Sequence, residues 1–419
     1  MKIIRKLRLG IGVRQLGPGL ITGAADDDPS GIATYSQAGA QFGYSMLWTV
    51  VFTLPLMAAI QIVSARIGYV TRQGLAANIK TAFPRWVLLG VVGLLLAANT
   101  LNVAADIAAM AEALRLLAGG SAHVYAVTFG LLCLVLQVFL PYKTYVGWLK
   151  WLTLALLSYV AVVFTAHVEW RQVVAEIFRP KLQANHEMLL MVVAVFGTTI
   201  SPYLFFWQAA QEMEDSSDGG EHTPREVRHH LRRIKADTLV GMTFSNLIAF
   251  FIILSTAATL HAAGITDIQT SSQAAEALRP LAGEFTFLLF SLGIIGTGML
   301  AVPVLAGSAA YAVAEAAGWR GSLSARLDRG EGLGFYGVIA AATVGGVILC
   351  FTRMDPVKEL FWSAVLNGVI AVPIMVVMML LASRSATMGV NVIGQRLRAM
   401  GWLATGVMAV TVAALFATL

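Results

Sequence analysis

The chain has 419 residues, 58% of them hydrophobic and 12% charged, with 29 Lys and Arg against 23 Asp and Glu and a formal net charge of +6. That composition excludes an ordinary soluble enzyme and describes an all-α polytopic membrane protein, and no soluble domain fits between the apolar runs. A basic balance in a soluble protein would suggest nucleic acid; here the basic residues sit in short loops, where they set orientation and meet lipid headgroups, so the partner they imply is a lipid bilayer and no nucleic acid. Nothing in the sequence points to a resident cofactor or identifies a protein partner.

Apolar runs predict eleven spans, at about 15–40, 45–70, 86–117, 123–140, 145–167, 187–210, 237–262, 284–317, 334–352, 358–382 and 401–419. Alternate connections gather most of the basic residues: Lys2 to Arg14, Arg66 to Arg85, Lys143 and Lys150, Arg225 to Lys235, Arg320 to Arg329, and Arg384 to Arg398. The asymmetry predicts a multi-pass protein of a bacterial-type inner membrane, with a cytoplasmic N-terminus and the C-terminus outside. The first 14 residues are basic and weakly apolar, with no small-residue cleavage site, so no removable signal peptide is expected. Cys133 and Cys350 fall within spans and read as core thiols.

The first span carries Gly23-Ala24-Ala25-Asp26-Asp27-Asp28-Pro29-Ser30-Gly31 near its middle. A carboxylate at that depth costs several kcal/mol, about 2.5–3.5 on insertion scales, unless it faces protein, water or a counter-ion, which makes it a functional-site hypothesis. Pro29 removes a backbone donor and Gly31 relaxes the chain, so the helix is expected to break here. The bland alternative is a helix that merely begins at Pro29, capped by aspartates at a water interface.

In the third span Asn99, Asn102 and Asp106 fall on one helical face and should point into the bundle, as a hydrogen-bond network or a proton path; Glu112 lies near the outer end. Spans four and five read as scaffold. The connector from Val168 to His186 is amphipathic around Trp170 and Ile177 and is expected to lie on the membrane surface. The sixth span repeats the oddity of the first, with Gly197-Thr198-Thr199-Ile200-Ser201-Pro202-Tyr203 interrupting an apolar run. A proline kink with hydroxyls bonding back to the preceding turn would explain one such interruption. Interrupted segments in corresponding positions of two halves point instead to a transporter site. The charged loop Gln211 to Lys235 holds His222, His229 and His230 among arginines, a poor setting for a metal. Glycines in span eight suit close helix packing. Asn367 in span ten either completes a coordination shell or bonds a neighbouring helix.

A broken helix presents unpaired carbonyls at the end of its first half and amide donors at the start of its second. The carbonyls of Ala25 and Thr198, the carboxylates of Asp26, Asp27 and Asp28, and the hydroxyls of Thr199 and Ser201 would form an oxygen-only, negative cavity whose natural guest is a hard cation such as Mg2+, Ca2+ or Mn2+.

Asp28-Pro29-Ser30-Gly31, followed by Ala33-Thr34 and Gln37-Ala38-Gly39-Ala40-Gln41-Phe42-Gly43-Tyr44, resembles the first-helix signature of the Nramp divalent-metal transporters, where Asp-Pro-Gly-Asn precedes a similar tail. Ser201-Pro202-Tyr203 looks like that family's Met-Pro-His. The resemblance implies that Asp28 is the metal-binding aspartate and that Ala25 and Thr198 offer carbonyls. It places Gly31 where the family has a ligand Asn, Ser201 where it has a thioether Met, Tyr203 where it has His, and Asp106 at an acid of the proton route, with Ala109 where a second acid is expected. The ninth span lacks that route's buried arginines. Losing a soft ligand makes the chain similar to the divergent Nramp-related magnesium transporters.

By that resemblance the fold is a LeuT-like inverted repeat of five plus five spans with helices 1 and 6 broken, plus an eleventh span. The expected divisions are 1–168 for the first repeat, 169–185 for an extracellular connector, 186–383 for the second repeat and 384–419 for the last span. The expected activity is not enzymatic: import of Mg2+ or Mn2+ by alternating access, without obligatory proton coupling. The alternatives are a same-fold transporter of an organic solute such as an amino acid, coupled to Na+ or H+, and more remotely a Mg2+-dependent membrane enzyme.

Overall fold

The computed structural model describes residues 18–140, 152–181, 185–217, 223–319, 321–323, 332–351 and 355–418. The basic N-terminal segment, Lys143, Lys150, His222, Arg320, Arg326, Arg329, Arg353 and the start of the fifth predicted span lie outside the described residues.

The first span is two helices, α1 (Pro18–Asp26) and α2 (Pro29–Phe42). It is followed by α3 (Leu47–Thr71), a short α4 (Leu75–Ala82), α5 (Arg85–Ala118), α6 (Ala122–Phe139), α7 (Leu157–Thr165) and the connector helix α8 (Trp170–Phe178). The sixth span is again two helices, α9 (His186–Thr199) and α10 (Pro202–Ser217). Then come α11 (Pro224–Thr256), α12 (Thr286–Ala317), α13 (Leu333–Leu349), α14 (Pro356–Ser383) and α15 (Gln395–Ala417). Among the described residues eight helical stretches are long and apolar enough to cross a membrane, and two shorter apolar helices accompany them.

Local sequence sets these boundaries. Asp28, Thr223 and Asp355 each cap a helix with their side chains, and each is followed by a proline whose missing N–H is no loss in the first turn. Thr223 and Glu226 close a reciprocal capping box. That box corrects the expectation of a long charged loop from Gln211 to Lys235: α10 runs on to Ser217 and α11 starts at Pro224, so most of the charged residues extend the two helices.

Burial orders the helices by depth. The α9–α10 segment keeps 89% of its apolar window inside the protein, whereas α6 and α15 each keep 28% and turn large side chains such as Leu131, Phe139 and Val410 outward. The broken sixth span is therefore the centre of the bundle and α6 and α15 its rim. The connector helix buries Val173 and Glu176 and exposes Trp170, Val174 and Phe178, an apolar stripe at helical spacing.

Glycines let backbones touch where the site is assembled. A Cβ at Gly19 or Gly23 of α1 would overlap the backbone of Thr238 or Gly241 on α11, and one at Gly197 of α9 would overlap Ala364 and Gly368 on α14. Helix α11 thus lies along both halves of the first span, touching α2 at Gly39 through Ile253 and Thr256.

Candidate functional site

The two breaks lie side by side. In the first, α1 ends at Asp26, Asp27 has no helical partner geometry, and Asp28 takes an extended conformation (φ −74°, ψ 170°) before Pro29. Asp28 Oδ1 accepts the Gly31 amide at 2.7 Å, satisfying one orphan donor of α2. The capped start of the bland reading is real, but α1 precedes it and the aspartates are buried. In the second break, α9 stops at Thr199, Ile200 leaves the helical region (φ −118°, ψ 61°), and α10 restarts at Pro202.

Tyr203, one residue into α10 and fully buried, joins the breaks. Its hydroxyl lies 3.0 Å from Asp28 Oδ2 and 3.1 Å from the Ala25 carbonyl oxygen. The Ala25 carbonyl is one of the last in α1 and has no intrahelical donor to expect. Gly31 faces the same space: a Cβ there would stand 3.1 Å from Thr198 Oγ1 and 3.5 Å from the Asp26 carbonyl oxygen.

Asp26 and Asp27 turn to a different partner. Ser245, on α11, donates to Asp26 Oδ2 and stands 3.0 Å from Asp27 Oδ1, while Asp26 Oδ1 has no partner. Among the described residues no Lys, Arg or His pairs with any of the three aspartates, whose side chains are all buried. Among the described residues their negative charge is met by dipoles, including the Gly31 amide, the Tyr203 hydroxyl, the Ser245 hydroxyl and Ser30 beside Asp28. Nor do three or more His, Cys, Asp or Glu side chains converge into a ready metal cage among the described residues.

The remaining sequence candidates sort by what they bond. Thr199 donates to Val195 and Phe196 carbonyls, and Ser201 to those of Gly197 and Thr198, so both hydroxyls bond back into the end of α9 while lying beside the break. Asn367 on α14 accepts from the Asn102 side chain at 3.0 Å, which ties α14 to α5. Asn99, Asn102 and Asp106 all face inward as their spacing requires, and Asn99 bonds the Leu305 carbonyl and Ser308 on α12. Both oxygens of Asp106 lack partners, and its carboxyl interacts electrostatically with that of Asp28. Glu112 forms a two-point ion pair with Arg115 at the helix end.

Sequence reasoning missed Ser245, and it missed Gln61 and Ser64 of α3, which donate to the Leu204 and Phe205 carbonyls in the first turn of α10. The adjacent polar pair Ser245-Asn246 inside an apolar helix was the available signal for the first.

A cavity of about 190 Å³ runs down α2 past Gln41, Gln37 and Ala33, flanked by Asp267, Glu187 and Lys358. Below it Ile32, Ala109, Ile268 and Leu360 pack around a void of only about 10 Å³.

Two interrupted spans meeting around buried carboxylates define a class of polytopic membrane protein with discontinuous helices at its core. The Nramp family profile, described as natural resistance-associated macrophage protein-like, matches residues 19–418, and the chain belongs to that family. Among its relatives are the divalent metal cation transporter MntH of Pectobacterium carotovorum, 27% identical over 303 residues and covering 70% of this chain and 69% of the relative, and MntH of Yersinia pestis, 29% identical over 308 residues, covering 71% and 70%. Its fold is that of the Eremococcus coleocola manganese transporter (TM-score 0.75, 18% identity, 94% of this chain and 84% of that one) and, more distantly, of Mhp1, a nucleobase-cation-symport-1 family transporter (TM-score 0.58, 14% identity, 96% and 91%). The fold is the LeuT-like one with helices 1 and 6 broken that the sequence led us to expect.

Proposed function

We propose that the protein carries a hard divalent cation, Mg2+ or Mn2+, across a bacterial inner membrane by alternating access, with the ion held between the two helix breaks. The observation that carries this reading is charge: three buried carboxylates lie at adjoining helix breaks with no basic partner among the described residues, and two atoms at that junction, Asp28 Oδ2 and the Ala25 carbonyl, are both oxygens. Buried anions without counter-charge call for a cation, and oxygen donors favour a hard one.

The bare Gly31 and the absence of a thioether at Ser201 support a partly hydrated ion, since Mg2+ keeps several waters when room allows. Transport needs no obligatory proton coupling in this reading. Asp106 has Ala109 where a second acid would stand, and α13 carries no arginine. The membrane potential alone favours inward movement of a divalent cation by about 4.6 kcal/mol per 100 mV, twice the single-charge value. The MntH relatives, named as divalent metal cation transporters, support a transported metal over an organic solute, and transport over enzymatic chemistry. On this reading the two five-span repeats divide near residues 168 and 186, the N-terminus is cytoplasmic and the C-terminus outside.

The test is uptake of Mg2+, Mn2+ and Ca2+ into proteoliposomes with internal pH recorded. Saturable Mg2+ or Mn2+ flux that Asp28→Ala reduces at least roughly a hundredfold is expected, the loss of one charged ligand being worth about 3 kcal/mol. No acidification should accompany it. Absence of divalent flux from folded protein under either polarity would overturn the reading.

A further inference from the structure

The strongest unexplained contact in the site is that of Tyr203. A phenolic hydroxyl carries one hydrogen, yet this one sits at hydrogen-bond distance from two acceptors, the Asp28 carboxylate at 3.0 Å and the Ala25 carbonyl at 3.1 Å. Those two oxygens are the ones that the proposed function assigns to the ion. The ring that delivers the hydroxyl is fully buried at the second position of α10, just after Pro202, and Gln61 and Ser64 of α3 bond the carbonyls of Leu204 and Phe205 in the same turn, so the ring is anchored beside the break.

We propose that the Tyr203 hydroxyl is a built-in stand-in for the cation: its one hydrogen is shared between the lone pairs of Asp28 and Ala25 when no ion is bound, and an arriving ion must displace it. The proposal rests on the cation reading above and adds a competitor within the site. A hydrogen-bond donor and a metal ion compete for the same oxygen lone pairs, so each interaction in the empty state is subtracted from the affinity of the ion. Tyr203 is a positioning and specificity-determining residue in this account. It keeps Asp28 aimed and Ala25 satisfied across the break, and it sets a threshold that only an ion of high charge density crosses. The contact also ties α10 to the first span, so displacing it loosens the two broken helices from each other at the moment the ion arrives.

Removal of the hydroxyl alone, in Tyr203→Phe, leaves the packed ring in place. Titration calorimetry of the purified protein with Mg2+ and Mn2+ is expected to show affinity raised about tenfold, which is ~1.4 kcal/mol. The apparent KM for uptake should fall in parallel. The ion-free melting temperature should drop while the ion-induced rise grows, a linkage that a merely structural tyrosine would not show. Weaker ion binding in Tyr203→Phe would make the hydroxyl a ligand and overturn the proposal, and so would unchanged binding.

A second measurement needs no destabilising change: 3-fluorotyrosine placed at position 203 should shift its 19F resonance on saturation with Mg2+, as the hydroxyl leaves its acceptors, and a resonance that stays put overturns the proposal. Failure of the underlying cation reading has its own signature, since wild-type protein would then bind no divalent ion and Asp28→Ala would change nothing.

Discussion

Gly31 shows how much a single missing side chain decides. A Cβ there would press to 3.1 Å from Thr198 Oγ1 and 3.3 Å from the Tyr35 ring, so any larger residue enters the gap between the breaks. On the proposed reading, filling that gap removes room for water on the ion. Mg2+ gives up water reluctantly and demands near-ideal octahedral geometry, whereas a larger or softer divalent ion tolerates a direct protein ligand. Gly31→Asn is therefore expected to lower Mg2+ uptake by roughly tenfold relative to Mn2+, measured as the ratio of the two fluxes in one proteoliposome preparation; a ratio that stays constant would show that room at this position does not select the ion. The position itself was legible, because a family resemblance can be aligned on Asp28-Pro29. What the glycine faces was not, since Thr198 and Tyr35 come from a different helix and a later turn.

At the scale of elements, α11 is the splint for the first span. Its Asp237 accepts the Gly19 amide at 2.8 Å, Gly241 receives Gly23, Ser245 serves Asp26 and Asp27, Thr256 meets Gly39, and His261, just past its end, donates to the Ala40 carbonyl. Ser245→Ala would leave two buried carboxylates without their shared donor. The expected cost is about 1–3 kcal/mol, read as a lower melting temperature of the ion-free protein, with Mg2+ affinity changed less than by Asp28→Ala; an unchanged melting temperature would show that the two carboxylates find other donors. Both breaks were readable because acids, hydroxyls, glycine and proline have no business in an apolar run unless something is built there. The role of Ser245 and the fate of Asn367 were not, because a polar residue in a membrane helix announces a partner without naming it: Asn367 turned out to hold Asn102. His230 was read as one of a loop cluster, and the capping box at Thr223 instead makes it part of a helix that stacks it on Tyr69 at 4.0 Å.

At the scale of the molecule, different chemistry flanks the two ends of the helices that carry the breaks. Towards the face predicted to be extracellular the packing beside α2 is mostly apolar, with Gln37 of α2 bonding the Thr266–Ile268 segment. At the opposite end it is ionic. Glu212 of α10 is buried and lies 3.5 Å from His230 and 3.6 Å from Arg233 of α11; Arg233 reaches Asp215, and Glu214 accepts the Tyr311 hydroxyl of α12 at 2.6 Å. Partners of a buried carboxylate are worth about 1.5–3 kcal/mol when charged, so Glu212→Gln should loosen α10 selectively. Hydrogen exchange is expected to quicken in the α10 amides and not in α5, and uniform protection would show that apolar packing alone holds this end shut.

The backbone contacts along α1 carry one more consequence, for how this sequence can vary. Where Gly19 and Gly23 meet Thr238 and Gly241, the atoms nearest an added Cβ are backbone, so there is no knob that a compensating hole could later accommodate. A deep mutational scan should find this seam as a line of positions that accept nothing larger than hydrogen. By contrast, the lipid-facing surface of α6 and α15 a few helices away should drift freely among apolar residues. On the proposed reading, the chain is free to change its passenger at Gly31, Ser201 and Tyr203 far more easily than it is free to change the track along which its first helix lies.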